Sequence, residues 1–432
     1  MMEKILKEIE KRKIEKYDIF YEKRIENEIK FEQNEPQEFI ERREEGYGLR
    51  IIKDGKRGFI SFNLLENPEE ILERAIESLI YGKEIEPDFP SEKVENKLKI
   101  FYDLEWEEKD RIEIGKEMID KISSKYKDLR VNANFSKKYI EKKILNSNGF
   151  EGEFKKSIFS YYIYVFGLMR TGIVFAPDME ANLKPEFNFN KILENILFLL
   201  EKCEVEEKIK SGRFPVIFSP TSLGFFVQAI IQGIDGKNFE KGITPLKDKK
   251  GEKILSDKIT ILNDPEREDL IGSVPFDDEG VKVEKFKFIE KGILKDFLVD
   301  LETSKRINVK PRGNGFRTSF ENLPIRSFSN FIIESGEKKL EEIIKEIPYG
   351  LIVYETIGAG QSNTLAGEYS FNASVAFLIS NGEIKGRVKD VMISGNIYED
   401  FKKIMSISKE TKKIYDYELP YICISDIKID KK

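Results

Sequence analysis

Three consecutive carboxylates, Asp277, Asp278 and Glu279, stand before Gly280 in the stretch Pro275 to Asn322. Carboxylate oxygens are hard ligands, so the trio could hold a divalent cation. The same Asp-Asp-Glu-Gly order also suits an ordinary solvated turn. Further on, Gly313-Asn314-Gly315 and Arg317 make a basic-tipped glycine loop that could receive an anion or simply reverse the chain. No strand-then-helix context surrounds it, so no phosphate fingerprint applies. Gln228 and Gln232 lie four apart on an expected helix and share a face. They read either as the polar edge of a core helix or as amides facing a cavity. Neutral amides can hydrogen-bond a peptide, but they make poor bases and poor zinc ligands. Gly358-Ala359-Gly360-Gln361 either admits a second backbone closely or forms a long loop at a sheet edge. The chain has no histidine, which removes imidazole-based zinc sites and the common catalytic triads.

The elements that must position these residues follow from local pattern. Met1–Ile14 reads as an amphipathic helix and Tyr17–Tyr21 as a strand. Leu49–Phe62 reads as a hairpin turning at Asp54-Gly55, a type I′ signal. Asn67-Pro68 caps and starts a helix that Gly82 ends. A helix is expected over Trp106–Tyr126, a tight turn at Asn148-Gly149, a buried strand at Ser157–Gly167, and a helix at Phe187–Cys203. Glu204–Gly212 is charged and reads as a boundary. Beyond it, strands are expected at Phe214–Phe218, Val281–Ile289, Ile293–Val299, Gly350–Glu355, Phe371–Ile379, Val388–Ile393 and Tyr421–Ile427. Lys291-Gly292 joins the second and third as a hairpin. Ser219–Gly233 reads as a helix with an apolar stripe, and Lys338–Ile347 as another. There is no sustained βαβ alternation, so the class is α+β: an N-terminal α+β domain (1–205), then a β-rich C-terminal domain (206–432).

Length of 432 residues suits about two to three domains. Hydrophobic residues at 40% supply a core, and 73 basic against 79 acidic residues leave a net charge of −6. That balance does not attract a polyanion and argues against nucleic acid. The abundance of Lys, Glu and Ile fits either a thermophile rich in ion pairs or an AT-biased genome. Cys203 and Cys423 read as buried or idle thiols in a reducing compartment. Met1–Tyr17 carries acids and no apolar core, unlike a signal peptide. The longest nearly uncharged apolar stretch, Ile158–Met169, is too short to cross a membrane. The expectation is a cytoplasmic protein.

The order of several short motifs resembles the TldD/PmbA family, also described as modulators of DNA gyrase, and its PmbA (TldE) branch in particular. Gly46–Gly58, Asn146–Gly149, Pro275–Gly280 with Ile289–Leu294, Asp300–Arg306, Asn314–Arg317, Gly358–Gly360, Gly367–Ser370, Asn381-Gly382 and Gly395-Asn396 carry the resemblance nearly end to end. TldD-type chains of the family bear HExxxH on a helix and act as zinc metallopeptidases. The resemblance places the first histidine at Val227, the general-base glutamate at Gln228 and the second histidine at Gln232, with the TldD cysteine ligand nearest Ser408. It therefore implies a chain with no catalytic or metal residues of its own, inactive alone, and with no cofactor. Zinc is expected in a TldD-type partner subunit. The implied function is a non-catalytic subunit that helps grip unfolded peptide substrates for proteolysis, with strand addition to a sheet edge as one way of holding them. Peptide contacts are expected from Gln228, Gln232, Asp277, Asp278, Asn314, Arg317 and Gln361, in a homodimer when isolated and a heterodimer with the partner. Two rivals stand beside it: an independent hydrolase using a metal at Asp277–Glu279, and a regulator bound to gyrase or nucleic acid.

Overall fold

Two similar passes of chain build the first half. In the computed structural model, which describes residues 1–63, 66–82, 87–358 and 362–431, the first pass runs α1 (Met2–Lys11), β1 (Lys16–Glu32), β2 (Glu35–Lys53), β3 (Lys56–Phe62) and α2 (Pro68–Glu77). The second runs α3 (Glu108–Lys125), β4 (Arg130–Asn146), β5 (Glu151–Met169), β6 (Gly172–Asn182) and α4 (Phe189–Lys202). The strands join as one antiparallel sheet in the order β3-β2-β1-β4-β5-β6, so two meanders meet at the β1–β4 pair. Each pass is therefore one αβββα unit.

Local chemistry sets the joints. Asp54 and Gly55 both take positive φ (53° and 72°), as the type I′ hairpin requires. Asn67 accepts the Glu69 N–H, and Pro68 opens α2. Side-chain alternation sorts the sheet's two faces. On one face, Ile19, Leu49 and Ile51 receive Ile5, Ile9 and Ile71 of α1 and α2. On the same face, Phe135, Tyr161 and Ile163 receive Ile119, Ile122 and Ile196 of α3 and α4. The opposite face carries Phe20, Ile144 and Phe154, which pack against Val274 and Phe276 of the second half.

The expected strand at Tyr17–Tyr21 is only the start of β1, which continues to Glu32 and pairs with the whole of β2. The run from Glu22 to Glu45 conceals this because its charges look like a solvated loop. In the sheet those charges pair across strands instead: Arg42 reaches Glu28 at 2.7 Å. Opposite charges facing one another on a sheet favour the pairing.

The second half centres on a twelve-stranded sheet among the described residues. Its middle places Tyr417–Lys431 beside Gly212–Phe218, then Tyr349–Ile357, then Glu368–Ser380. Helix α5 (Gly224–Ile234) lies on this sheet, burying Phe226, Val227 and Ile230 against Phe218, Tyr369 and Phe371. Three expected strands come out shorter or divided. The hairpin at Lys291-Gly292 forms, but its strands are only Phe286–Glu290 and Ile293–Leu294. Of the preceding residues, Val281 donates to the Asp277 side chain, while Val283 and Glu284 donate to the Pro275 and Arg312 carbonyls. Val388–Ile393 is broken at Asp390 (φ 52°) into Glu383–Val388 and Val391–Asn396. Among the described residues no helix is long and apolar enough to cross a membrane.

Candidate functional site

The carboxylate trio is neither a solvated turn nor an open cation site. Asp277, Asp278 and Glu279 are buried where the second half meets the free face of the six-stranded sheet. Asp277 Oδ1 accepts the N–H groups of Glu279 and Val281, and its Oδ2 accepts that of Gly315 at 2.8 Å. Both Asp278 oxygens accept from Lys142 Nζ (2.9 and 2.8 Å), and Oδ2 also accepts the Arg317 N–H at 2.8 Å. Glu279 accepts from Arg50 at 2.9 Å and from the Leu301 N–H at 2.8 Å. Arg50 completes the set with a bidentate grip on Asp18, at 2.9 and 2.8 Å. Arg317 adds a third donor to Asp18 at 3.1 Å and lies over the Phe20 ring. Strands β1, β2 and β4 therefore hold Asp18, Arg50 and Lys142 against loops from the other half.

The electrostatics fit this burial. Loss of solvent, reinforced by Glu279, pushes the Asp277 carboxyl well above the usual range, against the pull of its three N–H donors. Burial also raises Glu279, opposed chiefly by Arg50. Burial works against the Arg50 charge, yet Asp18 and Glu279 outweigh it and hold the guanidinium above its ordinary value. Nearby, the Lys156 amine is buried with the Ile271 carbonyl as its hydrogen-bond acceptor at 2.8 Å. Burial, with help from Lys142, brings its pKa down to about 7. Asn314 is buried as well. Thus Asp277, Asp278, Asn314 and Arg317, expected as peptide contacts, are all buried on the second half's side of the junction. Sequence reading missed Asp18, Arg50 and Lys142. Asp18 and Arg50 each stand inside an otherwise apolar strand run, a signal that Lys142, between Glu141 and Lys143, does not give.

The two glutamines separate. Gln228 is exposed on the outer side of α5, whereas Gln232 is half-buried and accepts the Thr364 hydroxyl at 2.7 Å. Val227 points into the core. Gln361 lies outside the described residues. The donor set at Val227, Gln228 and Gln232 is one aliphatic side chain and two neutral amides, which does not fit zinc. Ser408 is buried, donating to the Glu410 carbonyl and accepting the Tyr421 N–H. Cys423 is buried too, and loss of solvent pushes its thiol up to about 12, so it offers no thiolate. Among the described residues no three His, Cys, Asp or Glu converge as ligands would.

The open feature near α5 is a cleft of about 780 Å³ along Glu368–Asn372 and Met392–Asn396, walled by Gly358, Ser362 and Asn363. Its lining is neutral apart from Glu368. Among the described residues, the strand Glu368–Ser380 pairs with Tyr349–Ile357 as far as Asn372. From Glu368 to Asn372 its other side pairs with Met392–Asn396. The side left by Tyr349–Ile357 is covered by the segment Ser362–Gly367, which Thr364 ties to α5 and Asn396 ties to the sheet through the Ala366 carbonyl at 3.0 Å.

Known proteins resemble the chain throughout. Residues 211–431 match the PmbA/TldA metallopeptidase C-terminal domain, residues 17–79 its domain 1, and residues 101–182 its central domain. A metalloprotease of Methanocaldococcus jannaschii is 33% identical over 52% of this chain and 51% of its own length. The next three curated relatives are covered over 42%, 44% and 45%, so the matched stretch spans about half the length of these proteins. A zinc metalloprotease TldD homolog of Saccharolobus solfataricus is 25% identical over 91% of this chain and 88% of its own length. The crystal structure of TldE from Thermococcus kodakarensis superposes with a TM-score of 0.92 at 27% identity, covering 99% of both chains.

Proposed function

Because the chain belongs to the PmbA/TldD metallopeptidase family, we propose that it is the metal-free subunit of a two-chain peptidase and helps hold an unfolded peptide for a zinc-bearing TldD-type partner. One observation supports this reading: the α5 side chains Val227, Gln228 and Gln232, which the resemblance sets at the family's ligand and base positions, are an aliphatic group and two amides that can neither bind zinc nor take a proton from water. The likeness to TldE, itself named as distinct from TldD, supports the same division of labour. The chain's own contribution is then shape: a neutral cleft with strand backbone at its wall. Two-fold or pseudo-two-fold pairing is the usual closed arrangement for such chains, so the isolated protein forms a homodimer and exchanges into a heterodimer.

The rival carboxylate-metal enzyme is disfavoured by the junction geometry, because each carboxylate of the trio already has cationic or N–H donors. A gyrase or nucleic-acid regulator gains nothing from a net charge of −6.

Co-expression with a TldD-type chain tests the proposal. Expected are a heterodimer by sedimentation, zinc in the complex but not in the isolated chain, and cleavage of an unfolded peptide by the complex alone. About one tightly held zinc per isolated chain, with peptide cleavage abolished by Asp277→Asn, would install the carboxylate enzyme instead. Steeply salt-dependent DNA binding would favour the regulator.

A further inference from the structure

Among the described residues, buried basic side chains find a partner or can shed their charge, with one exception. Arg50 and Arg317 reach Asp18. Arg111 donates to the Asn27 and Phe135 carbonyls and lies over the Trp106 ring. Lys156, with a pKa of about 7, can give up its proton. Arg387 is only 9% exposed, and a guanidinium stays charged at any ordinary pH. Its Nη2 donates to the Ser374 carbonyl at 3.3 Å. Its Nε and Nη1 are buried without an acceptor, and so is Ser374 Oγ. Among the described residues it has no ion pair. Taking a charge out of water without a counter-charge is costly, so an unpaired guanidinium points to a ligand of opposite sign.

The position is on the seam between the two halves. Val388 turns into the core that α5 covers, so Arg387 takes the other face of its strand, beside its cross-strand partner Phe377. The end of α4 packs there. The Arg387 N–H donates to the Val205 carbonyl at 2.8 Å, and its charge acts on the buried Cys203 thiol. The acceptors around this end already have other donors. Thr171 Oγ1 bonds the Cys203 carbonyl, and Arg170 the Glu204 carbonyl. The Tyr126 hydroxyl bonds the Glu204 carboxylate. Glu206 stands opposite Arg387 in the parallel pairing, yet its carboxylate goes to Lys389 at 2.8 Å.

We propose that Arg387 is the base of a buried site for a small monovalent anion, such as chloride, between the end of α4 and the strand Glu383–Val388. One enclosed positive charge is neutralised by one negative charge, so a phosphate dianion overshoots. A water could accept the same bonds but leaves the charge uncompensated. A side chain this enclosed admits a single ion and no peptide. The anion fastens α4 to the large sheet, a second tie between the halves apart from the Asp18–Glu279 network. It does not depend on the peptide-holding reading above.

The test unfolds the full chain with urea, which brings no ions, while gluconate replaces chloride at constant ionic strength so that general screening cancels. Raising chloride from about 10 to about 200 mM is expected to lower the unfolding equilibrium constant about tenfold, as a site with a Kd of about 10 mM gives. Arg387→Met should abolish that response. In gluconate it should be at least as stable as wild type, because a buried unpaired charge is gone. Glu206→Gln should keep the full response. A second readout needs no variant: wild-type crystals soaked in bromide should show an anomalous peak within hydrogen-bond reach of Arg387 Nε or Nη1. No chloride response in wild type, or an equal one in Arg387→Met, would overturn the site. So would a bromide map with only ordered water at the guanidinium, or with Glu206 turned onto it. A bromide peak without a chloride response would mark an adventitious ion only and overturn the site as well.

Discussion

Two glycine-punctuated regions of this protein use polar groups in opposite ways. At the junction, Asp18, Arg50, Asp277, Asp278, Glu279 and Arg317 are buried and bonded across the two halves. At the cleft, Ser362, Asn363, Ser370 and Asn372 are mostly neutral, open and bonded weakly. A buried charge must have its partner or the structure yields, whereas an exposed hydroxyl can trade its partner for water. Both regions are punctuated by Gly, Asn and Ser in sequence, though the junction stretch is far richer in charge. Their difference lies in what packs opposite, and it predicts that junction variants alter stability while cleft variants alter capture.

The largest effect is expected at Arg50. Arg50→Ala leaves Asp18 and Glu279 buried without their main cation, and breaking such a buried arrangement costs about 3–5 kcal/mol. Chemical denaturation should register that loss, with peptide capture unchanged at a temperature where the variant is folded. A loss below about 1 kcal/mol would mean the network relaxes around water and the contrast is overdrawn. Gly315→Ala comes next. A Cβ there would lie 2.3 Å from Glu279 Oε2, so the junction must open slightly. Overpacking of this kind costs about 1–3 kcal/mol.

The junction should also respond to pH through Lys156. Its pKa falls from 10.5 to about 7 on folding. Between those values the unfolded chain binds more protons than the folded one, so stability rises with pH across that window. Below about 7 both states are protonated and the destabilisation is complete. Lys156→Met should flatten the rise between pH 7 and 10 in a series of denaturation midpoints. A slope identical to wild type would show that the amine reaches water. The smallest effect belongs to the cleft side. Gln228 is exposed on α5, so Gln228→Ala should shift stability by no more than about 0.5 kcal/mol. Any consequence should appear only in the heterodimer, as a raised KM for peptide with unchanged zinc content.

Much of the scaffold is legible without coordinates because it follows from neighbours in sequence. The Asp54-Gly55 and Lys291-Gly292 turns, the Asn67-Pro68 helix start and the apolar stripe of α5 each depend on a few adjacent residues. The missing imidazole is likewise a property of the sequence alone, and the ordered short motifs led to the family. The long β1–β2 hairpin escaped because its charges are matched across strands, a pairing that no single strand displays.

Where the functional charges went was decided only in three dimensions. Arg317 meets Asp18 across 299 residues of chain, and Glu279 meets Arg50 across 229. Whether a carboxylate is a ligand, a solvated turn or a buried bond depends on the dielectric and the donors around it. Both are supplied by distant segments brought together by packing. The same holds for Gln232: its helix position was readable from spacing, but its partner, Thr364, comes from a segment 132 residues away that only the sheet places over α5.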